Sequence, residues 1–156
     1  MRTAIVLAAL LASMSASAHT GIFIVRHAEK ASSTDPDTPL AIQGEDRALS
    51  LARLVRNAGV THVFATDKKR TQQTVEPLCE QKGLTPVIVK ASDTAAMVKA
   101  LKETPKNAIV VLAAHSDTIP TILQGLGVAK PVTIKDDQYG RVFFVTESNQ
   151  LIELAY

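Results

Sequence analysis

Four consecutive apolar residues, Ile22-Phe23-Ile24-Val25, run directly into a charged pair, Arg26-His27. A segment that is apolar at both parities leaves no face for water. It therefore predicts a strand buried on both sides, as in a parallel sheet covered by helices. In such sheets ligands collect in the crevice just outside the carboxyl ends of the strands, which puts Arg26 and His27 at a candidate site and not in the core. The unbroken run from Ala108 to Ala113 predicts a second strand of this kind, suited to a central position.

Around these runs the pattern alternates. Residues 31–39, rich in Ser, Thr, Asp and Pro, form a surface loop. Residues 45–57 carry Leu49, Ala52, Leu54 and Val55 at helical spacing, with Gly59 beyond as the stop. A short buried strand, 62–65, ends in Thr66-Asp67, and a helix from Lys69 to Lys82 follows, closed by Gly83. Then come a strand at 86–89, helices at 94–102 and 118–126, and a terminal hairpin of strands 141–146 and 151–154. Strands alternating with helices across short loops predict an α/β fold, a three-layer α/β/α sandwich on a mostly parallel mixed sheet. The last two strands are too close for a helical crossover, so at least one of them runs antiparallel.

The first 18 residues have a different character: one positive charge at Arg2, an apolar run from Ala4 to Ala12, and Ala16-Ser17-Ala18 as a small-residue cleavage site. This is the pattern of a secretory signal peptide, and its apolar run is short of the roughly 20 residues a bilayer span needs. The expectation is cleavage after Ala18, a single domain over residues 19–156, no membrane span, and a periplasmic or secreted location. The chain holds 17 Lys and Arg against 15 Asp and Glu, a near balance that offers no general attraction to nucleic acid or anionic lipid. Cys79 is the single cysteine; within a helix it reads as a small buried hydrophobe and not a reactive thiol.

Two more strand ends carry cations. Residues 65–74 read A-T-D-K-K-R-T-Q-Q-T, with Arg70 in the first turn of a helix, where a guanidinium and the positive end of the helix dipole would meet one anion. Residues 113–120 read A-A-H-S-D-T-I-P, with His115 between a strand and a helix. Together R-H-A-E-K, R-T-Q-Q-T and H-S-D-T-I-P resemble the motifs of the histidine phosphatase superfamily, the phosphoglycerate mutase-like fold, in a short bacterial form. The resemblance implies His27 as nucleophile, Arg26, Arg70 and His115 as phosphate ligands, and a phosphohistidine intermediate hydrolysed by water. On that reading the arginines and a protonated His115 stabilise the transferring phosphoryl group. No metal or other cofactor is implied: the guanidinium groups supply the charge neutralisation, and the histidines and carboxylates show no metal-ligand spacing.

One family feature is missing. Longer members place a glutamate acid in an insertion after the third strand, where this chain has only Lys90-Ala91-Ser92-Asp93-Thr94. Asp93 is the nearest candidate acid, with capping of the following helix as its other reading; Asp117 either caps the helix after it or touches His115. The expected partner is a small phosphorylated substrate, and no oligomeric state is implied. The alternative to a phosphatase is a phospho-ligand binding module of the same fold with little or no turnover; a mutase is the close variant of the enzyme reading, and a small α/β domain with its site elsewhere is the third reading, with no motif behind it.

Overall fold

The computed structural model describes residues 19–156, with side chains from Gly21 onward; the signal-peptide reading of residues 1–18 falls outside the described residues. The elements are β1 (His19–Arg26), α1 (Ile42–Leu54), β2 (His62–Thr66), α2 (Lys69–Lys82), β3 (Val87–Val89), α3 (Thr94–Lys102), β4 (Ala108–Ala114), α4 (Ile119–Gly125), β5 (Arg141–Thr146) and β6 (Leu151–Ala155). They build one sheet in the order β3-β2-β4-β1-β5-β6. The β3/β2, β2/β4 and β4/β1 pairs are parallel, and β1/β5 and β5/β6 are antiparallel. Helices intervene wherever successive strands run parallel. The 147–150 turn, with Asn149 at φ 62°, reverses the chain directly into β6.

The central strands are apolar at both parities because both faces are covered. On one face, Leu51 and Ala52 of α1, Val55 at its C-cap, and Val75, Leu78 and Cys79 of α2 pack against Val25, Val63, Val111 and Val142. On the other, Met97 and Leu101 of α3 and Ile119, Ile122 and Leu123 of α4 pack against Ile22, Ile24, Leu112 and Phe143. Neighbours in sequence such as Ile24 and Val25, or Val111 and Leu112, thus go to opposite layers. Each such side chain contributes roughly 1.5–3 kcal/mol on burial, so one polar substitution within β4 would damage either layer. Cys79 is buried, and burial pushes its thiol up to about 11, as a packed hydrophobe should be.

The first helix differs from its sequence reading. It begins and ends three residues early, and Leu49 and Leu54 are 43% and 42% exposed, while Ala48, Leu51, Ala52 and Val55 form the buried stripe. The phase is set by Gly44. A Cβ there would come within 2.3 Å of the Glu29 carbonyl oxygen, so only glycine lets the helix lie on the loop that follows β1. The helix is therefore registered on the R-H-A-E-K loop, a constraint that outweighs the hydrophobicity of Leu49 and Leu54.

Candidate active site

The topology brings the strand ends together. Arg26 pairs with Ala114 across the parallel β1/β4 ladder, and the His27 N–H donates to the Ala114 carbonyl at 2.8 Å. His27, just past β1, and His115, just past β4, are consequently neighbours, with ring centroids 5.3 Å apart. β2 flanks β4 on its other side, so the start of α2 delivers Arg70 to the same place; one of its terminal nitrogens lies 3.4 Å from His115 Nδ1. Arg26, His27 and His115 are all buried.

The hydrogen bonds fix the tautomers. His27 Nδ1 lies 2.8 Å from the Ala28 carbonyl. A carbonyl can only accept, so Nδ1 carries the proton and Nε2 keeps its lone pair. Burial holds His27 down to about 3; His115, Arg70 and Arg26 push the same way, against the hydrogen bond to Ala28. The ring is thus neutral over the whole physiological range, with a lone pair free on Nε2. His115 Nε2 lies 2.9 Å from Thr66 Oγ1, which in turn contacts Thr71 Oγ1 at 2.8 Å, and Thr71 Oγ1 donates to the Lys68 carbonyl at 2.7 Å. That chain ends on an acceptor, so His115 donates from Nε2 and turns the lone pair of Nδ1 toward Arg70.

The protonated His115 of the sequence reading is therefore corrected for the free site. Burial first, and Arg70 after it, lower His115 to about 4, with Asp117 and Asp67 opposing them only in part. A neutral His115 becomes a donor at Nδ1 when a bound dianion supplies the compensating charge.

Both arginines are anchored through backbone carbonyls. Arg26 donates from one terminal nitrogen to the carbonyls of Lys135 and Asp136 at 3.0 and 2.8 Å, and Arg70 donates to the Pro36 carbonyl at 3.0 Å. The Nε–H groups of both are buried with no protein partner among the described residues. Buried donors normally find an acceptor, and an anion between the two guanidinium groups would provide one. A cavity of about 250 Å³ opens beside Arg70 and His115, lined also by Ala91, Ser92, Asp117 and Thr118.

Asp93 is placed otherwise. Its carboxylate accepts the Ala96 N–H at 2.8 Å as the N-cap of α3, so the structure commits it to the helix and shows it in no contact with the histidines or arginines. Asp117 is exposed and acts on His115 only through its charge, while α4 starts without a side-chain cap. The turn at residues 90–93 is tied down by Asp67, which accepts the Ala91 N–H at 2.8 Å.

Three residues that belong to the site were given no role in the sequence, although Thr74 lies within the R-T-Q-Q-T motif. The Tyr139 ring lies 4.2 Å from the Arg26 guanidinium carbon and 6.2 Å from the His27 ring; it sits in the irregular segment before β5, which carries no motif. Thr66 orients His115, and Thr74 accepts the Ala28 N–H through Oγ1 at 2.9 Å. Their signal was a hydroxyl at a strand end and another one helical turn after Arg70.

Comparisons with known proteins agree with this fold. The family model of the histidine phosphatase superfamily, branch 1, matches residues 22–92. A relative from Enterobacter sp. (strain 638), named "Probable phosphoglycerate mutase GpmB", is 35% identical over 68 residues, 40% of this chain and 32% of the relative. The match thus spans about a third of that relative's length. Among solved structures, a mycobacterial glucosyl-3-phosphoglycerate phosphatase superposes with a TM-score of 0.65 at 12% identity, covering 88% of this chain and 98% of its own. The protein histidine phosphatase SixA, complexed with tungstate, gives 0.60 at 16% identity, covering 86% and 96%. With two arginines and two histidines converging at the ends of β1, β2 and β4, this chain is similar to the histidine phosphatase superfamily over residues 22–92, a little under half its length.

Proposed function

We propose that the protein is a phosphatase that uses His27 as a covalent nucleophile and needs no metal. The observation that carries this reading is the His27 Nδ1–H bond to the Ala28 carbonyl, which leaves Nε2 unprotonated beside Arg26, Arg70 and His115. In the first step the Nε2 lone pair forms a bond to phosphorus while the bond from phosphorus to the leaving group breaks, its electron pair departing with that group. The two guanidinium groups neutralise the equatorial oxygens, and His115 donates from Nδ1 once the dianion has raised its basicity. In the second step water attacks phosphorus and the N–P bond breaks. Its electron pair returns to Nε2, and the water protons leave with phosphate and solvent.

Substrate preference follows from the acid. Among the described residues no carboxylate hydrogen-bonds to either histidine, and Asp93 is occupied as a helix cap. Substrates whose leaving group needs little protonation, such as phosphoramidates, acyl phosphates or aryl phosphates, suit this site better than simple alkyl phosphates. The same occupied Asp93 is the one observation that favours the alternative, a phospho-ligand binding module with little turnover. The leader-like composition of residues 1–18 supports a periplasmic or secreted setting; mass measurement of the exported protein would show His19 as its first residue.

The deciding experiment incubates the protein with an activated aryl phosphate in excess EDTA. Phenolate release that is lost in His27→Ala supports the phosphatase. Tight phosphate binding with no turnover supports the binding module.

A further inference from the structure

The R-H-A-E-K loop is gripped from behind by a residue outside every motif. Arg47, on α1, donates from Nε to both oxygens of Glu29 at 2.9 Å and from a terminal nitrogen to Oε1 at 2.6 Å. The pair is largely sheltered, with side chains 22% and 13% exposed. Its other terminal nitrogen donates to the Tyr156 carbonyl at 3.2 Å, and the Tyr156 N–H donates to the Gly140 carbonyl at 3.1 Å. Gly140 directly follows Tyr139, the ring stacked on Arg26. One guanidinium thus joins the two segments that flank His27.

We infer that Arg47 is a positioning residue, whose clasp on Glu29 sets the His27 tautomer and whose link through Tyr156 and Gly140 sets the wall formed by Tyr139 and Arg26. The connection is short. The carbonyl that accepts the His27 Nδ1–H belongs to the Ala28–Glu29 peptide unit, so anchoring Glu29 fixes that carbonyl's direction. Glu29 is anchored at three points: its carboxylate on Arg47, its carbonyl on the Ala41 N–H at 2.9 Å, and its backbone pressed on Gly44. The Thr74 hydroxyl holds the Ala28 N–H on the preceding peptide. If the Glu29 grip slackens, the peptide can rotate, and the proton moves to Nε2, the atom that must attack. Arg47 touches no reacting atom; it works through Glu29.

This inference rests on His27 being the nucleophile, so its test reads the ring directly as well as the rate. Arg47→Lys keeps the charge and loses the forked hydrogen bond. The double variant Glu29→Met/Arg47→Met removes both charges, so no unpaired ion is left buried. Nitrogen-15 NMR of labelled imidazoles reports which nitrogen of His27 carries the proton. Wild type is expected to show Nδ1–H, and both variants a mixture with Nε2–H. In parallel, kcat on an aryl phosphate is expected to fall roughly 10- to 100-fold with KM nearly unchanged, the signature of a misdirected reacting group. Folded variants that keep pure Nδ1–H at His27 overturn the inference. Should wild type prove inactive, the tautomer readout still decides the role of Arg47, separately from the phosphatase reading.

Discussion

His27 and His115 face each other with ring centroids 5.3 Å apart and planes inclined by 60°, yet their hydrogen bonds impose opposite tautomers. His27 carries its proton on Nδ1, on a carbonyl. His115 carries its proton on Nε2, on a threonine. Each ring therefore turns a lone pair away from its anchor; in the proposed mechanism one attacks phosphorus and the other receives a proton when phosphate arrives.

Arg26→Ala and Arg70→Ala should each remove about 3 kcal/mol of transition-state stabilisation, by comparison with loss of one preorganised donor to a developing charge. The two should differ in folding. Arg26 also holds the Lys135 and Asp136 carbonyls and stacks on Tyr139, so its removal should lower thermal stability more than that of Arg70. Steady-state kinetics beside thermal melts separate the effects; near-full activity in both variants would remove the assigned pocket.

Asp93→Ala should cost about 1 kcal/mol of stability, the usual effect of losing an N-cap. Turnover of an aryl phosphate should stay within twofold of wild type, roughly, because a good leaving group needs little general acid. A large drop in kcat together with loss of an alkaline limb in the pH profile would instead make Asp93 the acid.

Stability should fall as the solution is acidified from neutrality. His27 and His115 are held at about 3 and about 4 when folded and return to about 6.5 when unfolded. Between those values the unfolded chain binds protons that the folded chain refuses. The stability is thus fully present above pH ~6.5 and declines as pH drops toward the folded values, at up to about 1.4 kcal/mol per pH unit for each ring. Urea unfolding at pH 7.5, 5.5 and 4.5 would show it, with a shallower decline in His115→Asn. Added phosphate should lessen the loss, since the anion favours a protonated His115. Equal pH dependence in wild type and variant would contradict the depressed values.

Gly44→Ala should destabilise, although alanine is the better helix former by about 1 kcal/mol. Its Cβ would meet the Glu29 carbonyl oxygen at 2.3 Å, a backbone atom, so the helix or the R-H-A-E-K loop must shift. Lower melting temperature and lower kcat together are expected; a more stable, fully active variant would mean that the contact relaxes freely.

The sheet, its mixed strand directions and the helices on both faces could be read from the sequence because apolar runs without alternation admit few other placements. That Arg26, His27, Arg70 and His115 would converge could be read because each lies at the end of a strand or at the start of the helix after one, in a recognisable local motif. The phase of α1 could not: Gly44 looks like a helix liability until the Glu29 carbonyl lies against it. Tyr139 and Arg47 were equally hidden. Their roles come from contacts with segments far along the chain, across the β1/β5 pairing and through Tyr156, which local periodicity does not encode.

The most direct measurement is to mix enzyme with an aryl phosphate, quench in alkali within the first turnover, and map the phosphate by mass spectrometry. A base-stable, acid-labile phosphate on His27, absent from His27→Ala, is the expected result. Phosphate on serine or threonine, or turnover that persists unchanged in His27→Ala, would contradict His27 as the nucleophile.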